Sequence, residues 1–313
     1  MFLGEQPFCK RAIGLDIGSN TFSCAELSLN ANGSFAVTKD TSLPVRLSEG
    51  LKPGGPLNKA AIMRGLYALE KLSDKFLMNK LPVRAVATSP LRLASNSNAF
   101  IEPANEITGV QIEILSGKDE AVLGSRGAVL NLPRSKKWTV MDVGGRSTEI
   151  CVKSANGIWN PQSIPVGMLE ITNRFLSTDP PSPKQIDQMQ KFIEESICKT
   201  VENTVEGCFV GVAGTASTLG LLETGSTRWQ REQVHGHKIS IDKVEQWLKK
   251  TISISVEDRK KTYGLGKVRA DVFPAGLCIY FSMMKHFNIP HMTISANGLR
   301  VGAAMSVLKM LQK

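Results

Sequence analysis

The sequence predicts an α/β protein built from two halves of one design. Strand and helix patterns alternate along its 313 residues. One motif occurs twice: "GLDIGSNT" (residues 14–21) and "VMDVGGRST" (140–148) each run from apolar residues through an Asp into glycine and small hydroxyl residues. A chain of this length also exceeds what a single core usually serves.

The elements follow in order. "RAIGLDIGS" reads as a strand, "FSCAELSL" as its hairpin return and "SFAVTKDTSLPVRL" as a third strand, with "ANG" supplying the turn before the third. "NKAAIMRGLYALEKLSDKFLMNK" places Ile62, Leu66, Leu69, Leu72 and Phe76 at helical spacing. "VRAVATSP" is a buried strand, "LRLASNSNAFIEPANEIT" one helix, "VQIEILSG" a strand and "KDEAVLGSRGAVLNL" a helix. The pattern then restarts with "KWTVMDVGGRSTEICVKSANG", again strand, glycine turn, strand. Helices follow at "PVGMLEITNRFLS" and "SPKQIDQMQKFIEESICKTVENT", punctuated by "TDPPSP". "CFVGVAGTASTLGLLE" reads as a strand entering a glycine turn and a helix. "SIDKVEQWLKKTIS" is amphipathic, with Ser240 or Asp242 as its cap. "ADVFPAGLCIYFSMMKHF" is apolar on most sides, so a buried helix, and "HMTISANGLRVGAAMSVLKML" gives strand, turn and terminal helix. The expected domains are 1–128 and 129–313.

Composition narrows the function. Hydrophobic residues at 42% and charged residues at 21% describe a folded soluble chain. No apolar run approaches the roughly 18 residues of a membrane span. The start, "MFLGEQPFCK", lacks a basic stretch followed by an apolar one, so a cytoplasmic location is expected and membrane partners are not. Cys9, Cys24, Cys151, Cys198, Cys208 and Cys278 form no C-x-x-C pair, which points to buried thiols. His235, His237, His286 and His291 show no metal-ligand spacing. The net charge of +10, with basic clusters at 134–137, 249–250, 259–261 and Lys267 with Arg269, favours polyanions. Nucleic acid fits poorly, because aromatic residues are only 6% and none interleave with the basic runs.

A hairpin with glycine at its tip exposes backbone N–H groups that bind phosphate oxygens. Ser19, Thr21, Ser147 and Thr148 add hydroxyls. Asp16 and Asp142 would repel phosphate unless a cation lay between, and magnesium takes carboxylate, water and phosphate oxygens together. The alternative is a pair of ordinary hairpins with Asp in the turn chemistry. A third turn, "GVAGTAST" (211–218), offers a helix start for a phosphate or serves packing alone, and no P-loop lysine accompanies it.

"IGLDIGSNT", "AVATSPLRLASN", "LSGKDEA", "VMDVGGRSTEI", "IPVGMLEITNRF", "GVAGTAST", "VRADVFPAG" and "SANGLRVG" together resemble the successive blocks of the Ppx/GppA phosphatase family, from about residue 11 to 306. The resemblance implies two ribonuclease-H-like domains of the actin, sugar-kinase and Hsp70 superfamily with an interdomain cleft. The terminal helix, about 299–313, is expected to pack back on the first domain. It implies hydrolysis of a terminal phosphoanhydride with Glu120 as general base. Glu149 would help hold the metal or the attacking water, and Asp142 and Asp16 would hold Mg2+ or Mn2+. Arg92, Arg269 and the loop residues Gly18, Ser19, Asn20, Thr21, Gly144, Gly145, Arg146, Ser147, Thr148, Gly214 and Thr215 would bind phosphate. Asp271 is expected to brace the fold.

The chain departs from the family pattern at Arg146, where a glycine is usual, and at Ala213, Val301 and Ser23. If position 146 needs a left-handed backbone, arginine there costs about 1 kcal/mol or more. Ser23 replaces an arginine that contacts guanosine pentaphosphate in some members. With the basic surface, this favours inorganic polyphosphate over the nucleotide. Guanosine pentaphosphate hydrolysis and a catalytically weak binder of either ligand remain the alternatives, and the resemblance makes a homodimer plausible.

Overall fold

The computed structural model describes residues 10–201, 205, 207–226 and 229–311, with the side chains of Asn79, Lys267 and Val268 left aside. The thiol expected at Cys9 and the surface charge expected at Lys267 fall outside this description. The chain divides into two compact units, Met1–Ser116 with Leu299–Lys313, and Gly117–Gly298.

The first unit runs β1 (Arg11–Ile17), β2 (Thr21–Leu29), β3 (Phe35–Pro44), α1 (Lys59–Phe76), β4 (Val83–Ala87), α2 (Ser89–Leu93), α3 (Asn98–Thr108) and β5 (Ile112–Ile114). Its sheet has the order β3-β2-β1-β4-β5, with β2 antiparallel to both neighbours and β1, β4 and β5 parallel. One face carries α1 and α3. Phe22 of β2 meets Phe100 of α3 edge to face at 5.9 Å, over Leu69, Leu72 and Phe76 of α1.

The second unit runs α4 (Gly117–Ala128), β6 (Trp138–Val143), β7 (Thr148–Lys153), β8 (Trp159–Ile164), α5 (Met168–Phe175), α6 (Pro183–Thr200), β9 (Cys208–Val212), α7 (Ala213–Glu223), α8 (Arg231–Val234), β10 (Lys238–Ser240), α9 (Ile241–Ile252), α10 (Val256–Tyr263), α11 (Lys267–Ala270), α12 (Phe273–His286) and β11 (His291–Ile294). Its sheet order, β10-β11-β9-β6-β7-β8, repeats the first sheet and adds β10 at the edge. The duplication seen in the two glycine motifs is therefore a duplication of topology, the ribonuclease-H-like arrangement. Helix α12 is buried as expected, and its Tyr280 hydroxyl donates to the carbonyls of Val212 (2.7 Å) and Met141 (3.1 Å) beneath the sheet.

The last helix, α13 (Leu299–Met310), belongs to the first unit and lies on β1, β2 and β4. Its Arg300 makes a two-pronged ion pair with Asp40 of β3 at 2.6 and 2.7 Å. Burial opposes the Arg300 charge, but Asp40 and then Asp16 hold its pKa above the usual value. Backbone meets backbone at Gly14, where a Cβ would lie 1.9 Å from the Arg300 carbonyl oxygen.

Several local expectations change. The domain boundary expected at 128/129 falls at Ser116/Gly117, because α4 packs on β6, β7 and β8. The single helix expected over 91–108 is two, since Asn96 leaves the helix to bond the Leu57 backbone through Oδ1 (2.7 Å) and Nδ2 (3.3 Å). Ser240, not Asp242, caps α9 by accepting from Lys243 N–H. Cys198 and Cys208 are exposed, whereas Cys24, Cys151 and Cys278 are buried free thiols. Arg259, counted in a basic surface cluster, is 2% exposed and bonds the carbonyls of Ala270 and Ile254.

Gly14→Ala should cost about 2–3 kcal/mol by forcing α13 off β1, read as a lowered denaturant midpoint with unchanged slope. A midpoint equal to wild type would show that α13 does not press on β1 in solution.

Candidate active site

The second glycine loop is shaped by the helix that follows its sheet. Gly144 N–H closes the turn on Ser147 O at 2.9 Å. The carbonyls of Gly144 and Gly145 accept from the start of α5: Met168 N–H at 3.0 Å to the first, Leu169 and Glu170 N–H at 2.9 and 3.2 Å to the second. In a trans peptide the next N–H points opposite to the carbonyl. The N–H groups of Gly145 and Arg146 are thus turned away from α5, as an anion-binding turn requires. Gly167 permits the clasp, since a Cβ there would lie 2.3 Å from the Arg146 backbone. The Thr148 hydroxyl is fully buried and donates to Val166 O at 2.6 Å, so it braces this turn from below.

Beside the loop three carboxylates share one small recess, lined by Glu120, Gly124, Ser125, Val140, Asp142 and Glu149. Asp142 and Glu149 are direct cross-strand partners. Glu120 projects from the first turn of α4. Glu149 is only 4% exposed, and its Oε1 accepts from the hydroxyls of Ser147 (2.5 Å) and Ser163 (3.1 Å). Burial, then the charges of Glu120 and Asp142, push its pKa up to about 8, and the two serines offset only part of this. Among the described residues no three acidic, His or Cys side chains enclose a metal ion unaided. The all-oxygen donors suit a hard divalent cation that keeps waters and takes one or two carboxylates.

The third turn contains no separate glycine turn, because β9 runs straight into α7 through Ala213. The Arg269 guanidinium lies flat on Gly214, where a Cβ would be 2.0–2.2 Å from its Nη1, Cζ and Nη2. Arg269 is partly buried, and its Nη1 is out of water without a hydrogen-bond partner. Burial lowers its pKa to about 10 against the opposing charge of Asp271. Thr215 is fully buried, its hydroxyl 3.4 Å from Met168 Sδ and pressed beneath Gly276, so it packs the helix start.

In the first unit, Gly18 N–H closes its loop on Thr21 O at 3.2 Å, and the Ser19 hydroxyl meets that of Ser89 at 3.0 Å. Asn20 is 5% exposed with both amide groups unmet. Arg92 Nη1 donates to Leu115 O at 2.7 Å, which ties it to the end of the unit's sheet. The counterpart of the Asp142–Glu149 pair is Asp16 opposite Ser23, so only the second copy carries a cross-strand carboxylate.

A sequence profile of the Ppx/GppA phosphatase family matches residues 28–311. The chain belongs to this family. Its members are phosphoanhydride hydrolases, so the chain is a polyphosphate or guanosine pentaphosphate phosphohydrolase. Among solved structures it is similar to the Aquifex aeolicus member of the Ppx/GppA family, with 26% identity, a TM-score of 0.82 and coverage of 96% of this chain and 98% of that one. It shares its fold with an exopolyphosphatase from Cytophaga hutchinsonii, at 22% identity, a TM-score of 0.84 and the same coverages.

The departures from the Ppx/GppA pattern resolve differently from expectation. Arg146 does not have positive φ, so arginine there carries no left-handed penalty; its Nη2 lies 3.7 Å from Glu170. Ala213 has φ 65°, the left-handed region, so the cost falls there instead. Ser163 had no signal in the sequence, because β8, "WNPQSI", lacks a clean alternation. Gly167 stands in a quoted block, but its reason is a contact with a loop more than twenty residues earlier.

Two outcomes follow. Ala213→Gly should stabilise the protein by roughly 0.5–1 kcal/mol, read by thermal or denaturant unfolding, and an unchanged or lower stability would contradict the left-handed assignment. Glu149 keeps a proton in the folded chain where the unfolded chain has lost it, so stability falls as pH rises from about 4.5 to about 8. In metal-free buffer with chelator, Glu149→Gln should therefore melt above wild type near pH 8 and close to it near pH 5. Parallel melting curves at both pH values would contradict the burial of charge.

Proposed function

We propose that this chain is a magnesium-dependent exopolyphosphatase that releases orthophosphate from the ends of inorganic polyphosphate. The observation that carries this is the gathering of Glu120, Asp142 and Glu149 in one recess beside a glycine loop whose N–H groups turn away from α5. Excess negative charge there, expressed in the raised pKa of Glu149, is what a cation would neutralise. Asp142 and Glu149 would hold the magnesium, which supplies charge neutralisation for the phosphate oxygens.

The chain's own groups then divide the work. The N–H groups of Gly145 and Arg146 bind non-bridging oxygens of the terminal phosphoryl group. Glu120 orients a water molecule and takes its proton as the water oxygen bonds to phosphorus and the bridging P–O bond breaks. Ser147 and Ser163 hold Glu149 in place through its Oε1. Arg269, whose Nη1 is buried and unmet, takes a further phosphate oxygen from its seat on Gly214. In the first unit, Gly18, Ser19, Asn20, Thr21 and Arg92 would bind phosphate, and Asp16 would be a second acidic loop residue.

Polyphosphate is preferred to the nucleotide on two grounds. The net charge of +10 suits a long polyanion. Ser23 is 5% exposed and bonds Ser42 at 2.9 Å, so this position offers no cation to a guanosine ligand.

Phosphate release from medium-chain polyphosphate and from guanosine pentaphosphate, each with magnesium, tests this reading. Release from polyphosphate is expected to dominate; release from the nucleotide alone would replace the substrate, and tight binding without release would remove the hydrolysis. Glu120→Gln should lower kcat by about 10²–10⁴-fold while leaving polyphosphate affinity within a few-fold. Retained turnover would exclude Glu120 as the base.

A further inference from the structure

The segment after β3 is built onto the first glycine loop. The N–H groups of Val45 and Arg46 both donate to the Asn20 carbonyl, at 2.9 and 3.0 Å, and Ser48 N–H donates to the Ser19 carbonyl at 3.3 Å. On the far side one side chain takes the segment's carbonyls. Arg64 Nε reaches Val45 O at 2.9 Å, and its Nη2 reaches Arg46 O at 3.3 Å and Glu49 at 2.6 Å. Held between these contacts, Arg46 has φ 53°. Glycine adopts that backbone freely and arginine at a cost. A guanidinium is thus kept where the backbone alone would favour glycine, and strain of this kind collects at functional positions.

A second observation concerns the loop itself. Asn20 is nine-tenths buried, and neither Oδ1 nor Nδ2 has a hydrogen-bond partner. A buried amide with both groups unmet is costly unless a ligand or water meets it. Arg46 is bonded through its own N–H to this residue's carbonyl, so the two residues are neighbours in space.

We propose that Arg46 is a further substrate-binding residue of the first unit, taking non-bridging oxygens of a phosphoryl group in the polyphosphate chain together with Asn20 Nδ2. The inference rests on the polyphosphate reading above. A guanidinium gives a phosphoryl group two parallel donors and a full charge, and glycine at the same φ gives neither. Stability and binding therefore make opposite demands at this position, which separates a binding role from a structural one.

The test measures polyphosphate binding by calorimetry, and melting without ligand, for wild type, Arg46→Gly and Arg46→Lys. Arg46→Gly should melt at or above the wild-type temperature and yet bind polyphosphate about tenfold more weakly, the loss of one charge-assisted pair. Arg46→Lys should recover part of the affinity. Wild-type affinity in Arg46→Gly overturns the inference, as does a clear fall in its melting temperature, which would make the residue structural. Should wild type bind polyphosphate without releasing phosphate, hydrolysis fails as a reading while the Arg46 comparison stands. Should wild type release phosphate and Arg46→Gly bind equally well, the inference alone fails. Wild type that binds no polyphosphate overturns both.

Discussion

A buried carboxyl next to two others governs the second unit. Glu149 lies out of water, opposite Asp142 and near Glu120, and its burial and these two charges favour its protonated form. The surroundings are arranged to tolerate this. Two serine hydroxyls reach one Glu149 oxygen, α5 draws the loop carbonyls away, and α4 brings Glu120 in across β6, β7 and β8. Such a concentration of acid groups is unfavourable by itself.

The two copies of the fold have taken different paths from one topology. Both central strands carry an Asp near their end, followed by a glycine loop and an antiparallel return. In the second copy the residue opposite that Asp is Glu149; in the first it is Ser23, tied to Ser42. The first copy instead places the two-pronged ion pair of Asp40 with Arg300 in structural service, holding α13 on the sheet. The three neighbouring carboxylates lie in one unit, and the other keeps a loop that contains a buried, unmet amide.

Some departures from low energy lie at or beside the glycine turns. The Ala213 and Arg46 backbones are left-handed, and Asn20 and Arg269 each hold a buried polar group without a partner. The cores, by contrast, are made of aliphatic and aromatic side chains meeting one another, as Phe22 and Phe100 do. Sites of ligand recognition commonly retain strain that a fold without function would lose.

The alternation of strands and helices and the internal duplication were legible in the residues, because apolar periodicity and glycine placement are local signals; Asp142 stood out by its place in the repeated motif, and Glu120 and Glu149 only through the resemblance to the Ppx/GppA blocks. Tertiary structure decided what depends on residues far apart in the chain. It assigned α4 to the second unit through contacts with β6, β7 and β8. It turned Thr148 and Thr215 from candidate phosphate ligands into packed braces, and it brought Ser163 to Glu149 from a strand without a pattern. It also moved the backbone cost from Arg146 to Ala213. A sequence shows which atoms a residue carries; which neighbours those atoms meet, and hence their charge and conformation, is settled only when distant segments pack.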